Sequence, residues 1–183
     1  MVKIDLANTY ELTSAFLDRE NTQMEFLSPQ SDGTERLMRI KIRPYPDPLL
    51  PNVSNLAMGP LADSGYIDDQ IRLKHLDRTA MYSTLVFCML LFLQEYPDLA
   101  IGLDGSNDLR AAIYHGIFLH NRHHLAKHVA PFGVDWYVKL LRDRKDIERR
   151  VTGEPFFKPI SEPFDYARTR HDLYRYYLVR LNQ

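Results

Sequence analysis

Thr79-Ala-Met-Tyr-Ser-Thr-Leu-Val-Phe-Cys-Met-Leu-Leu-Phe-Leu93 is apolar on nearly every side. That pattern marks a helix covered from several directions rather than a one-faced surface helix. Asp77 stands where an N-cap belongs, and Tyr96-Pro97 ends the helix, because the residue before a proline avoids the α region. Next comes Leu99-Ala-Ile-Gly-Leu103, apolar throughout and bounded by turns, as an interior strand is. The turn Asp104–Asn107 leads into a second helix over Asp108–Leu119, capped by Ser106 or Asn107. Leu109, Ile113 and Ile117 lie four apart on one face of it, and Asn121 is a natural end. Residues 77–121 form the centre, and the flanking segments are expected to cover it.

Upstream, Thr9–Phe16 and Gln23–Ser28 read as strands. Arg36–Arg43 alternates Leu37, Ile40 and Ile42 with cations and should form a hairpin with Met24–Ser28 across Asp32-Gly33. Prolines 44, 46, 48 and 51 make Pro44–Asn52 a loop; Val53–Met58 is a further strand, and Leu61–Lys74 a polar connector. Downstream, Phe132–Leu141 reads as a strand, Arg142–Val151 as a charged helix or loop, and Thr152–Phe164 as a proline-rich covering loop. Leu173–Leu181, rich in β-formers, is a closing strand. The expected fold is α+β, a mixed or antiparallel sheet with two main helices packed against it, in a single domain spanning residues 1–183.

Composition narrows the function. The hydrophobic fraction of 45% and the charged fraction of 26% are ordinary for a globular chain. The single cysteine, Cys88, allows no intrachain disulfide, which suits a reducing compartment. The first residues lack the apolar core of a secretory signal, and the apolar run is too short to span a bilayer. A cytoplasmic protein without membrane association is expected. The net charge of −1 gives no reason to expect nucleic acid. Acids predominate before residue 100 and bases after 137, which leaves a basic surface for an acidic partner as one reading and attraction within the fold as the other.

Scattered positions resemble a family of short, uncharacterised bacterial proteins found mainly in Bacteroidetes. They are Met24-Glu-Phe-Leu-Ser28 before a glycine turn, Asn55-Leu-Ala-Met-Gly59, Ile67-Asp-Asp69, Asp77 ahead of the long helix ending Tyr96-Pro97, and Gly105-Ser106 with Arg110 and Tyr114. The closing tyrosine-rich strand is also similar. Longer connectors, notably Pro44–Pro51 and Arg142–Arg170, and a histidine-rich segment set this chain apart. The resemblance implies a compact α+β fold and no activity.

Four groups could carry chemistry. Gly105, Ser106, Asn107, Arg110 and Tyr114 sit at a helix start, where free amides and the helix dipole favour a small anion and the Arg110 fork suits phosphate or carboxylate. The same residues can be ordinary caps, with Arg110 pairing Asp68, Asp69 or Asp108. His115, His120, His123, His124 and His128 include pairs at a spacing of four that could share zinc or nickel on one helical face. Asp68, Asp69 and Asp104, with Asp77, could gather around a divalent metal for phosphoester or nucleic-acid hydrolysis. The aromatics Trp136, Tyr137, Phe156, Phe157, Phe164, Tyr166, Tyr174, Tyr176 and Tyr177, interleaved with arginines, could build a protein-binding face or a core. No motif calls for a cofactor. The expected function is non-enzymatic recognition of a partner protein or small anion, with a homodimer as one possible assembly. A divalent-metal hydrolase is the alternative.

Overall fold

Period-two alternation over residues 22–60 builds the first half of a sheet. The computed structural model describes residues 2–62, 64–68, 71–142 and 146–182. Its strands are β1 (Leu12–Phe16), β2 (Thr22–Pro29), β3 (Glu35–Pro44), β4 (Val53–Pro60), β5 (Ala100–Asp104), β6 (Val129–Val138), β7 (Phe157–Pro163) and β8 (Tyr176–Leu181). The helices are α1 (Arg78–Glu95), α2 (Asp108–His120) and the short α3 (Arg122–Leu125). The eight strands form one sheet in the order β1-β2-β3-β4-β5-β8-β6-β7. Only β4 and β5 run parallel; every other pair is antiparallel. The chain is therefore an α+β protein with a mixed sheet.

The hairpin forms across residues 30–34, with Gly33 at φ +82°, a conformation that glycine adopts without penalty. Helix α1 links the parallel pair. Asp77 caps it by accepting from the Ala80 amide at 2.9 Å, and Tyr96 closes it. Its sheet side buries Leu85, Cys88, Phe92 and Leu93 against Met24, Phe26, Ile40 and Ile101. Residues 2–10 also pack on the helix. The Asp5 amide donates to Ser83 Oγ at 2.9 Å and the Tyr10 amide to Thr84 Oγ1 at 2.8 Å. These bonds explain why two hydroxyl residues lie fully buried in an apolar helix. Burial pushes the Cys88 thiol up to about 12, which makes it a packing group rather than a nucleophile. No helix among the described residues is long and apolar enough to cross a membrane.

Three expectations require correction. Thr152–Phe164 is not only a covering loop, because Phe157–Pro163 pairs with β6 as an edge strand. Pro159 and Pro163 hide it from a propensity reading, and an edge is where strand prolines are tolerated. The 44–52 loop begins at Tyr45, since Pro44 pairs with Ser54. On α2, Leu109 is exposed while Ala111, His115, Ile117 and Phe118 are buried, because the inward stripe runs through 111, 115 and 118 and leaves position 109 on the outer side of the first turn. Arg142–Val151, where described, is an irregular segment held by Leu140↔Ile147 and Arg149↔Pro155 bridges.

The helices cover one face of the sheet. On the other face a smaller cluster of Leu50, Val53, Ala100, Val134, Tyr176 and Leu178 gathers over β4, β5, β8 and β6, with Tyr45 and Phe132 packed against it. The 45–52 loop shelters its near side, and a cavity opens beside it.

Candidate functional site

Strand alternation determines which side chains reach this second face. Asn55 of β4 lies opposite Gly102 of β5, and Asp104 opposite Tyr176 of β8. A Cβ on Gly102 would collide with the Tyr176 hydroxyl and ring, so the bare glycine lets the tyrosine lie flat across β5. Its Oη donates to Asn55 Oδ1 at 3.2 Å. Tyr45 packs on the same ring, with centroids 5.3 Å apart and planes at 32°. Trp136, 36% exposed on β6, forms the outer wall. Asp104, Ser106 and Arg175 complete a cavity of about 240 Å³. A second hollow of about 400 Å³, lined by the prolines of the 44–51 segment and by Arg19 and Asp47, shares Tyr45 with it.

The polar groups at the helix start are largely engaged within the chain. Asp104 Oδ1 accepts from the Ser106 amide at 2.8 Å, and Asn107 Oδ1 caps α2 through the Arg110 amide at 2.9 Å. The buried Gly105 donates its amide to the Arg175 carbonyl at 3.0 Å. Arg175 Nη1 bonds Asp108 Oδ1 at 2.7 Å. Burial first, then the carboxylates of Asp47 and Asp104, hold the Tyr45 and Tyr176 phenols above their ordinary value. The cavity is therefore aromatic and partly desolvated, with Asp104 and Arg175 as the two opposite charges of its lining.

Of the proposed anion residues, Ser106 lines this cavity, Gly105 is buried toward Tyr177 and Ala111 on the helix-covered side, and Asn107 serves as a cap. Tyr114 packs against Tyr177 at 5.9 Å, and burial pushes it up to about 12. Neither Arg110 nor Asp68 is a free charge. Of the acids, Asp104 faces the cavity and Asp77 caps α1; Asp69 lies outside the described residues. Among those residues no three His, Cys, Asp or Glu side chains could hold a metal ion together. Asn121 separates His120, at the end of α2, from His124 on α3. The His124 and His128 rings lie 5.8 Å apart.

The aromatic group divides. Phe164, Tyr174, Tyr176 and Tyr177 are core, while Trp136, Tyr137 and Phe157 are exposed at the far end of β6 and β7. Sequence reasoning missed Tyr45 and Asn55 as members of the cavity; Tyr45 stood in a segment read as a loop, and Asn55 in one noted only as a strand and for its resemblance to the family. It also missed a close pair, Ser28 Oγ and His75 Nδ1, which share a hydrogen bond at 2.8 Å. Ser28 is fully buried, so the pair fastens the 61–77 connector to the β2–β3 hairpin and offers no reachable nucleophile.

Fold and cavity together describe an α+β protein with one helix-covered sheet face and an aromatic pocket on the other. The chain belongs to a family of unknown function, the Family of unknown function (DUF6934), whose model matches residues 7–142. Strands β7 and β8, and with them Arg175 and Tyr176 of the cavity, lie beyond the matched residues. Comparison with curated proteins and with solved structures returns no match.

Proposed function

We propose that this protein is a non-catalytic binding module of a bacterial cytoplasm, and that it recognises a partner protein through the cavity at the start of α2. The observation carrying this reading is the meeting of Asp104 and Ser106 with Trp136, Arg175 and Tyr176 around one opening. Tyrosine, tryptophan and arginine dominate the energetics of protein interfaces, and exposed Phe157, opposite Val138 and so on the Trp136 side of the sheet, extends the surface outward. A small anion is the weaker candidate for the same place. The Gly105, Ser106 and Arg110 amides already donate to chain acceptors, and two carboxylates, Asp104 and Asp108, flank the helix start.

A peptide array probed with the full chain tests the reading, alongside an assay of phosphodiester turnover with magnesium or manganese. The expected result is a set of retained peptides that Trp136→Ala loses, with no turnover. Metal-dependent turnover abolished by Asp104→Asn would establish the hydrolase instead.

A further inference from the structure

We infer that the bare sheet face beside the cavity takes an acidic, extended segment of the partner protein, its carboxylates held by Lys41 and Arg43 of β3 and by the Asn55 amide of β4. This names the partner's chemistry and rests on the binding reading above. Ile40 and Ile42 are buried in the core beneath α1. Period-two alternation therefore sends Arg39, Lys41 and Arg43 to the opposite face, about 7 Å apart along the strand. Arg39 is neutralised by Glu25 of β2, which accepts from its Nε at 2.7 Å. Lys41 stands between uncharged Gln23 and Ala57, and Arg43 stands opposite Asn55.

Lys41 is half-buried, yet among the described residues its ammonium makes no hydrogen bond, and no carboxylate lies within ion-pair distance of it or of Arg43. Burial first, then the neighbouring Arg43 and Arg39, pull it below its ordinary value. A half-buried charge without a counter-ion is costly, and the described chain supplies none. The amides around it have the same bias. Asn21 Oδ1 accepts from Arg43 Nε at 3.1 Å, and Asn55 Oδ1 accepts from the Tyr176 hydroxyl at 3.2 Å. With both oxygens engaged, the NH2 groups of these side chains and the two Nη atoms of Arg43 are donors with no acceptor among the described residues. Exposed Ala57 keeps the floor beside Lys41 low, and Asn55 also lines the aromatic cavity, so the two surfaces are continuous. Two free cations and two amides suit one or two carboxylates. A nucleic-acid backbone, charged at every nucleotide, calls for a longer basic track.

Fluorescence anisotropy tests this with the full chain and four probes: a labelled peptide of alternating Glu and Thr, the same peptide with Gln for Glu, a labelled single-stranded oligonucleotide, and inorganic phosphate as competitor. Saturable binding of the Glu peptide is expected, with the Gln peptide weaker by about tenfold or more. Lys41→Gln should weaken the Glu peptide by a similar factor, and Lys41→Arg should restore it. Without peptide, the urea midpoint of Lys41→Gln should stay at or above the parent's, because a repelling charge is gone. If that variant does not fold, Arg43→Gln on the exposed end serves in its place. A lowered midpoint with unchanged peptide affinity would make Lys41 a packing residue and overturn the inference. Peptides held through Trp136 without regard to Glu or Lys41 would overturn it too, and leave the binding module standing. Phosphate bound as tightly as the peptide would reduce the site to one for a free oxyanion. Oligonucleotide held through Lys41 in place of peptide, or no binding of any peptide, would remove both readings.

Discussion

Gly102 shows how a single missing atom shapes the second face of the sheet. Its Cβ position is occupied by the Tyr176 hydroxyl, whose residue is buried. Gly102→Ala must therefore move the ring, break the bond to Asn55 and disturb the contact with Tyr45. A loss of about 1–3 kcal/mol is expected from overpacking of this kind, read from urea unfolding, together with a changed Trp136 emission from the reshaped cavity. An unchanged midpoint would mean that the ring can swing aside at no cost. Gly133 plays the same part for the Tyr174 ring on the helix-covered face. There Arg168 lies over that ring at 3.6 Å and binds Asp135 and Glu162, tying the 165–175 segment to β6 and β7.

At the scale of elements, β8 carries the sheet. It lies between β5 and β6 and contributes buried Tyr176, Tyr177, Leu178 and Val179. Removing it strips β5 and β6 of a partner each, leaving their backbone groups unpaired and part of each core face open. A chain ending at residue 170 is expected to lose cooperative unfolding by circular dichroism, although the family match ends at 142. A sharp unfolding transition in that truncation would show that residues 7–142 build a core of their own. Asn121 is a second element-scale link. Its amide donates to the Ile117 and Val2 carbonyls at 2.9 and 3.0 Å, and its oxygen accepts from the Ile4 amide at 2.8 Å. Asn121→Ala leaves those buried groups unpaired, for a loss of about 1–3 kcal/mol and faster amide exchange at Ile4.

For the whole molecule, the half-buried His75 and the buried His115 are expected to contribute to the response to acid. Burial, with Arg78 nearby, pulls His75 below its ordinary value. Burial also pulls His115 down, aided by His120 and Arg168 and opposed by Asp165. Both groups are thus held neutral in the fold and charge more readily when unfolded. Their contribution to stability is present above the unfolded value of about 6.5 and is lost as pH falls through the lower folded values. Urea unfolding should give a constant free energy from pH 8 to about 6.5 and a decline by about 5.5. Replacing both histidines by asparagine should flatten that decline; a decline of equal steepness in the double variant would assign it to other groups.

Much of the chain's local structure was written in short-range chemistry. Asp77 and Asn107 mark their helix starts because a side-chain oxygen meets an amide three residues on. Alternation of Ile40 and Ile42 with cations marks β3, although Met38 and not Leu37 completes the buried side, and Gly33 supplies the left-handed turn residue that the hairpin needs. These signals act over a few residues, so one sequence suffices to read them. The partnership of β8 with β5 and β6, and of β7 with β6, has no local signature, since pairing is settled by burial between segments far apart in the chain. The cavity belongs to that second kind: Tyr176 reaches Asn55 across 121 positions, and Tyr45 joins them because a proline-rich loop is folded over the bare sheet face by the same burial of apolar surface.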